Sequence, residues 1–214
     1  MPDKNHTALM DHVYRRQRYV YDLTRKYYLF GRDRLIRELA LRPGDRLVEV
    51  GCGTARNLIS IARRYPETRL FGLDASHEML KTAADAVRRA GLEERICLAH
   101  GYAEDLSPAM FGQTEPFDAC VFSYSLSMIP DWKQALRSAS ASLSAAGRIH
   151  IVDFGDLGGL SRVGKAILLA WLRLFHVAPR VELLQGFERD SSGSLRLLPG
   201  RYAFLMTSNK RESF

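Results

Sequence analysis

The feature that most constrains this chain is a regular alternation of short apolar runs with helical periodicity between Arg46 and Phe154. Strands alternating with helices at this spacing are typical of right-handed βαβ units, which build a parallel sheet with helices on its faces. The predicted strands are Arg46–Val50, Arg69–Leu73, Arg95–His100, Phe117–Phe122 and Arg148–Phe154. The predicted helices are Asn57–Tyr65, His77–Ala90 and Trp132–Leu143, and one more strand, Arg201–Thr207, follows the turn Pro199-Gly200. The sequence therefore predicts an α/β protein.

Length and composition fit one domain with an N-terminal extension. The chain has 214 residues, of which 46% are hydrophobic and 26% are charged. These values are typical of a globular protein and exclude a disordered or fibrous chain. We predict a helical extension over residues 1–45 and the α/β domain over residues 46–214.

Positive charge is concentrated in two segments of the chain, whose formal net charge is +7. Residues 14–37 hold eight Arg or Lys against two Asp, and residues 160–180 hold four Arg or Lys and no acid. This asymmetry suggests an anionic partner: nucleic acid, a membrane surface or an acidic small molecule. Two solvated helix faces would have the same composition, so charge alone leaves both interpretations open.

Cysteine and histidine usage indicates a reducing compartment and no metal. Cys52, Cys97 and Cys120 form no CxxC pair, and the six histidines show no metal-ligand spacing. The first residues lack the apolar core of a signal peptide, and the longest apolar run, Ala166–Leu172, is too short to span a bilayer. We expect a cytoplasmic protein, with peripheral attachment to the inner face of the membrane left open.

A glycine turn follows the first predicted strand and carries the strongest local signal for a ligand. Gly51 and Gly53 permit positive φ and let a ligand approach the backbone. A dinucleotide fingerprint requires a third glycine, but Arg56 stands there, and Glu49 would repel a pyrophosphate. Glu49 suits an α-ammonium group instead, and Asp74, after the second strand, can accept both ribose hydroxyls. These residues fit S-adenosylmethionine better than NAD.

The run from Arg46 to Phe154 resembles the class I S-adenosylmethionine-dependent methyltransferases. The resemblance implies a Rossmann-like, seven-stranded, mostly parallel sheet whose last strand is antiparallel, with an N-terminal helical lid and S-adenosylhomocysteine as product. This sequence departs from the family pattern at two positions. Ala55 stands where the family has a third glycine, and Tyr102 stands where the family has an adenine-binding Asp. Besides the glycine turn, Glu49 and Asp74, the implied cofactor contacts are Tyr19, Thr54, Ala75, Met79, Tyr102, Ala103 and Ser123.

The acceptor is predicted to meet the methyl group at the segment Ser123–Pro130, which follows the fourth strand. This segment lacks the Asp/Asn-Pro-Pro-Tyr/Phe sequence frequent in enzymes that methylate amino groups of nucleic-acid bases. The tyrosine- and arginine-rich stretch of residues 14–34 is a candidate lid, whose aromatic faces could hold a methylated ammonium. An amphipathic helix packed on the domain, or an RNA contact, would fit the same stretch. The residues expected to position the methyl transfer are Tyr14, Tyr21 and Tyr124, with Tyr19 beside them.

The N-terminal stretch, together with residues 123–132, is similar to the N-methyltransferases of betaine-lipid synthesis. The resemblance implies three methylations of the amino group of diacylglyceryl-homoserine, a lipid amine presented at an anionic membrane surface. A separate enzyme that transfers an aminocarboxypropyl group would supply this lipid, and no nucleic acid is involved. Arg25 or Lys26 is expected to meet the homoserine carboxylate, and the other substrate contacts are expected to be Tyr28 and Ser125.

Residues 160–180 are predicted to form a basic amphipathic helix that could lie in a bilayer interface. The predicted apolar face comprises Leu160, Gly164, Ile167, Leu168, Trp171, Leu174 and Phe175. The predicted basic face comprises Arg162, Lys165, Arg173 and Arg180. Burial of this helix against the sheet is the alternative. Two other functions stay open: a soluble methyltransferase for a quinone, an amine or another polar head group, and a binding module without catalysis. Oligomeric state is not predicted.

Overall fold

The structure is a computed structural model that describes residues 29–174, 177–189 and 193–210. A seven-stranded sheet in the order β3-β2-β1-β4-β5-β7-β6 forms its centre. The strands are β1 (Arg46–Val50), β2 (Arg69–Asp74), β3 (Ile96–His100), β4 (Phe117–Ser123), β5 (Leu143–Phe154), β6 (Gly193–Leu197) and β7 (Ala203–Asn209). Strands β1 to β5 pair in parallel, and β7 is antiparallel to both β5 and β6. The predicted Rossmann-like, mostly parallel sheet with an antiparallel last strand is therefore confirmed.

Helices cover both faces of the sheet. They are α1 (Arg32–Glu38), α2 (Arg56–Arg64), α3 (His77–Arg89), α4 (Trp132–Ala141), α5 (Arg162–Arg173) and α6 (Val181–Arg189). Helices α1, α2, α3 and α5 contribute to one core cluster, and α4 and α6 to the other. Neighbouring strand residues divide between the clusters, since Leu47 belongs to the first and Val48 to the second. A strand buried on both faces is mostly apolar in sequence, and Leu47, Val48 and Val50 made β1 predictable.

The region after β5 differs most from its prediction. Helix α5 ends at Arg173 instead of continuing to residue 180. Pro179 restricts the residue before it and lacks an N–H, so a helix through this position is unfavourable. A second helix, α6, then begins at Val181 and was not predicted.

Strand β6 was missed as well, because Gly-Ser-Leu-Arg-Leu has neither a continuous apolar run nor many β-branched residues. It lies at the sheet edge, where only β7 supplies its hydrogen bonds. The last strand begins at Ala203, two residues later than predicted.

The N-terminal extension is described only from Leu29 onward. Within it, α1 buries Leu35 and Ile36 in the core that also contains α2, so this part of the extension packs on the domain. The boundary at residue 45 stays a prediction. In the described part of the chain, every helix is too short or too polar to cross a bilayer.

Candidate functional site

The glycine turn sits at the carboxyl end of β1, where its backbone is tied to β2. The N–H groups of Gly51 and Cys52 both donate to the carbonyl of Leu73, at 2.8 and 3.0 Å. Gly51 has a φ of 74°, and a Cβ placed on it would lie 2.6 Å from the Cβ of Ser125. Both its conformation and its surroundings therefore require glycine, because a left-handed φ is unfavourable for other residues and the space is occupied.

The turn continues through two more residues with positive φ. Gly53 has a φ of 55°, and Ala55, immediately before α2, has a φ of 61°. Ala55 thus adopts a left-handed conformation at the position where the methyltransferase pattern has glycine, and its side chain is fully buried. The three left-handed residues curl the backbone tightly between β1 and α2. The parallel pairing of β1 and β2 places their carboxyl ends side by side, next to this turn.

Asp74 joins the glycine turn to the loop after β2. Its Oδ2 accepts a hydrogen bond from the Gly53 N–H at 2.7 Å, and its Oδ1 accepts one from the Ser76 N–H at 2.9 Å. Ser76 in turn caps α3 by accepting from the Met79 N–H at 3.3 Å. These two bonds fix the orientation of the Asp74 carboxylate at the end of β2.

Negative charge converges beneath the turn. Glu49 is buried, and its Oε1 accepts from Asn57 Nδ2 at 2.7 Å, which fixes the carboxylate below the glycines. Burial raises the pKa of the Cys52 thiol well above its usual value, and the charges of Asp74 and Glu49 raise it further. The same field that disfavours a thiolate favours a cation, such as an ammonium or sulfonium group.

Past Asp74, the rim of the site is aromatic. The rings of His77 and His100 stack at 3.6 Å between centroids, and His100 Nε2 lies 3.0 Å from the carbonyl oxygen of Ala75. Met79 is buried in the first turn of α3, and Ala103 is buried in the 3₁₀ turn that follows β3.

At the end of β4, four aromatic rings form a chain. Ring centroids lie 4.8 Å apart for Tyr124 and Phe154, 5.7 Å for Phe154 and Tyr202, and 5.7 Å for Tyr202 and Phe30. The Tyr124 hydroxyl donates to the carbonyl of Phe30 at 2.6 Å, although 94 residues separate them. Tyr124 has a φ of 56°, a strained conformation for a bulky residue. Such strain is typical of functional turns.

The turn after β4 is held from two sides. Asp153, fully buried at the end of β5, accepts from the Ser127 N–H at 3.0 Å. Arg180 donates from Nε to the carbonyl of Leu126 at 2.9 Å and from Nη2 to the carbonyl of Ile129. Arg180, predicted to belong to a membrane-facing basic surface, is thus a structural clamp. The clamp fixes the segment that the sequence assigned to the acceptor.

Burial and neighbouring groups of both signs act on the pKa of the Tyr124 hydroxyl. Burial raises the Tyr124 pKa well above its usual value, the charges of Asp153 and Tyr202 raise it further, and Arg32 lowers it. Tyr124 therefore stays protonated at neutral pH and serves as a donor. Burial also raises the pKa of Asp153 to about 6, so this group is ionised at neutral pH.

Two buried hydroxyls mark the junction between the glycine turn and the aromatic chain. The Oγ atoms of Ser123 and Ser125 are buried and have no hydrogen-bond partner among the described residues. Buried polar groups are nearly always satisfied, so such a group indicates a missing ligand or water. Ser125 lies against Gly51, which places this unmet capacity beside the turn.

Residues 47–147 match a family model described as "Methyltransferase domain". The chain is 30% identical over 168 residues to the ubiquinone/menaquinone biosynthesis C-methyltransferase UbiE of Syntrophotalea carbinolica, covering 75% of this chain and 66% of that protein. It is 26% identical over 160 residues to a demethylmenaquinone methyltransferase of Lactobacillus johnsonii, covering 74% and 62%. The chain belongs to the class I S-adenosylmethionine-dependent methyltransferases. Among solved structures, mitomycin 7-O-methyltransferase MmcR superposes with a TM-score of 0.71 at 16% identity, covering 95% of this chain and 60% of that one.

The chain spans about half to two thirds of the length of the curated relatives it matches. Members of the methyltransferase family use S-adenosylmethionine as methyl donor, and the described residues fit it. Asp74 suits the ribose hydroxyls, and the field of Glu49 and Asp74 suits the ammonium and sulfonium charges. The buried hydroxyls of Ser123 and Ser125 offer further partners.

The methyltransferase fold brings most of the predicted cofactor residues to one edge of the sheet, at or just beyond the carboxyl ends of β1, β2 and β4: Glu49, Gly51, Gly53, Thr54, Asp74, Ala75 and Ser123. The predicted substrate residue Ser125 lies at the same edge, just after β4. Tyr102 and Ala103 follow β3, and Tyr124 lies beside the aromatic chain. The predictions for Tyr14, Tyr19, Tyr21, Arg25, Lys26 and Tyr28 fall outside the described residues. Sequence reasoning missed Arg32, Phe154 and Tyr202, which only the tertiary fold brings to Tyr124.

Proposed function

We propose that the protein transfers methyl groups from S-adenosylmethionine to the amino group of diacylglyceryl-homoserine, forming the trimethylated betaine lipid. The observation that carries this proposal is the chain of four rings, Phe30, Tyr124, Phe154 and Tyr202, beside Arg32. Aromatic faces attract an ammonium more strongly once it is desolvated, by up to about 2 kcal/mol. Tyr124 and Phe154 are buried at one end of this chain, and Phe30 is exposed at the other. Rings at the exposed end suit an amine whose methylation increases over successive turnovers.

Arg32 supplies the second half of the recognition. The homoserine head group carries a carboxylate next to its amine, and a guanidinium can bind a carboxylate through two hydrogen bonds. Arg32 is half-buried and close enough to Tyr124 to lower its pKa. It is a described cation suited to the role that the sequence assigned to Arg25 or Lys26.

The bound cofactor supplies an electrophilic methyl group on a sulfonium. The glycine turn and Asp74 hold the donor in place, and the clamped turn after β4 presents Tyr124 and Ser125 to the acceptor, which aligns the two reactants. Tyr124 donates hydrogen bonds and does not remove the amine proton, because its raised pKa keeps it protonated. The negative charge of Asp153 would favour the ammonium product electrostatically.

A second candidate is C-methylation of a quinone ring, which the similarity to UbiE and to demethylmenaquinone methyltransferase favours. Stacked or edge-on rings also bind a flat aromatic acceptor. A quinone ring, however, carries no carboxylate that the Arg32 guanidinium could bind. The two candidates therefore differ in their dependence on Arg32.

The test supplies the purified protein with S-adenosylmethionine carrying a deuterated methyl group. Mixed-lipid vesicles contain either diacylglyceryl-homoserine or a demethylated menaquinol, and lipids are analysed by mass spectrometry. The proposal predicts up to three labelled methyl groups on the homoserine lipid. It also predicts that Arg32→Met raises the KM for that lipid more than tenfold, while Arg37→Met, at an exposed position of α1, leaves it unchanged. Label on the menaquinol alone would replace this proposal with the second candidate.

A further inference from the structure

Helix α5 leaves a stripe of large apolar side chains in solvent. Val163, Ile167 and Leu174 are 69%, 66% and 71% exposed. Their spacing places them within about 40° of one another around the helix at 100° per residue. Large apolar side chains scattered singly on a surface are normal, but an aligned set on one helix indicates a partner.

The stripe is separate from the surface that α5 uses to pack on the domain. Leu172 is buried, and Leu168 and Trp171 are half-buried against the core cluster. The single apolar face predicted from the sequence is therefore divided between an inward face, with Leu168 and Trp171, and an outward one, with Ile167 and Leu174. Packing against the sheet accounts for the inward face alone.

Positive charge accompanies the exposed stripe. Arg162 and Arg173 are exposed and Lys165 is half-exposed, and the sequence has no Asp or Glu between Asp156 and Glu182. Long basic side chains can extend beside an apolar stripe and reach phosphates, as they do on helices that lie in the plane of a bilayer interface. Each basic residue near an anionic surface contributes about 1 kcal/mol. Among the partners that could cover an apolar stripe, this positive charge favours a bilayer with anionic lipids.

The helix also adjoins the acceptor end of the site. Its inward residues Leu168 and Trp171 belong to the cluster that contains Tyr124 and Phe154. The segment just after the helix bonds to the turn after β4, since the Ala178 N–H donates to the carbonyl of Ser127 at 2.8 Å. A bilayer that contacts α5 would thus lie close to the place where the acceptor meets the methyl group.

We propose that α5 docks the protein on an anionic bilayer, with Val163, Ile167 and Leu174 entering the interface and Arg162 and Arg173 contacting lipid phosphates. The functional role of this docking rests on the proposed lipid acceptor. The geometry of the helix and the vesicle-binding test do not depend on that acceptor. The docked helix brings the aromatic chain to the level at which a lipid head group lies.

The test measures binding of the full chain to vesicles by co-sedimentation, using phosphatidylcholine alone or mixed with phosphatidylglycerol. The wild type binds the mixed vesicles and releases them at high salt. Replacing all three stripe residues with Ser is expected to lower the partition coefficient more than tenfold. The control Ala166→Ser, at an exposed position of the same helix outside the stripe, leaves it unchanged. Arg162→Gln/Arg173→Gln weakens binding to mixed vesicles and removes much of its salt dependence.

Unchanged S-adenosylmethionine affinity establishes that each variant is folded. Equal vesicle binding by the wild type and the triple variant would overturn the docking proposal. So would a wild-type dimer in light scattering that the triple variant loses, since the stripe would then contact a second copy of the chain. If the protein binds vesicles yet methylates no homoserine lipid, the docking proposal stands and the proposed function fails.

Discussion

Two buried titratable groups on β5 should give opposite contributions to stability as the pH changes. Burial raises the pKa of Asp153 from 3.8 to about 6. Burial, aided by the charge of Arg148, lowers the pKa of His150 from 6.5 to about 4. The perturbation we consider replaces each group with a neutral residue of similar shape, as Asp153→Asn and His150→Asn.

The sign of each contribution follows from which state binds the proton more tightly. The folded state binds it more tightly at Asp153, so this group's contribution to the free energy of unfolding is fully present below pH 3.8 and is lost as the pH rises through about 6. The unfolded state binds it more tightly at His150, so that contribution is present above pH 6.5 and is lost as the pH falls through about 4. Each shift corresponds to about 3 kcal/mol at 1.36 kcal/mol per pKa unit. In the wild type the two largely offset each other.

Urea unfolding at a series of pH values between about 4 and 7 tests this prediction. Relative to the wild type, the free energy of unfolding of Asp153→Asn should rise by about 3 kcal/mol across the range. That of His150→Asn should fall by a similar amount, with Asn keeping a group near Thr207 Oγ1, which lies 3.0 Å from His150 Nδ1. Difference curves that are flat, or that slope in the same direction, would refute the reasoning.

Three further variants probe the site. Gly51→Ala should destabilise the protein by more than about 2 kcal/mol and abolish cofactor binding, because the new Cβ would meet Ser125 and the φ of residue 51 is positive. Adding Ser125→Gly should restore only the part of the lost stability that the contact with Ser125 causes. Arg180→Gln should raise the acceptor KM several-fold and leave cofactor affinity unchanged in calorimetry, since its side-chain hydrogen bonds hold the turn after β4; an equal loss of both would contradict this. Tyr124→Phe should cost about 1–2 kcal/mol in urea unfolding by leaving the Phe30 carbonyl unpaired, and an unchanged midpoint would argue against that bond.

The sequence was most informative where the structure is local. The turn from Val50 to Arg56 and the position of Asp74 follow from a strand–glycine–helix pattern and from the right-handed crossover that makes β1 and β2 neighbours. Glycine at residue 51 reports a required backbone conformation, which is a property of the residue itself. Fold and cofactor site were therefore predictable together.

The acceptor segment after β4 was predicted, but its surroundings were not, because they are assembled across long sequence separations. Tyr124 meets Phe30 over 94 residues, and Phe154 meets Tyr202 through the antiparallel pairing of β5 and β7. The burial of Asp153 likewise depends on what packs around the end of β5. No local periodicity encodes such contacts.

Helix α5 shows a different limit of sequence patterning. Its apolar residues cover more than half of the helix circumference, so periodicity alone assigned Ile167 and Leu168 to one face. Packing against the sheet separates them, burying Leu168 further and leaving Ile167 in solvent. The exposed stripe became identifiable only with the inward contacts known.

The central claim is that the glycine turn and Asp74 form the S-adenosylmethionine site. Isothermal titration of S-adenosylmethionine into the wild type, Asp74→Ala and Asp85→Ala tests it most directly, because Asp85 is an exposed carboxylate on α3, paired with Arg88 and remote from the turn. Loss of charge-assisted hydrogen bonds of the kind expected at Asp74 costs about 1.5–3 kcal/mol, which corresponds to a factor of about 10 to 150 in Kd. We predict that Asp74→Ala raises the Kd more than tenfold and that Asp85→Ala does not change it. Equal affinity for all three proteins would contradict the assignment of this site.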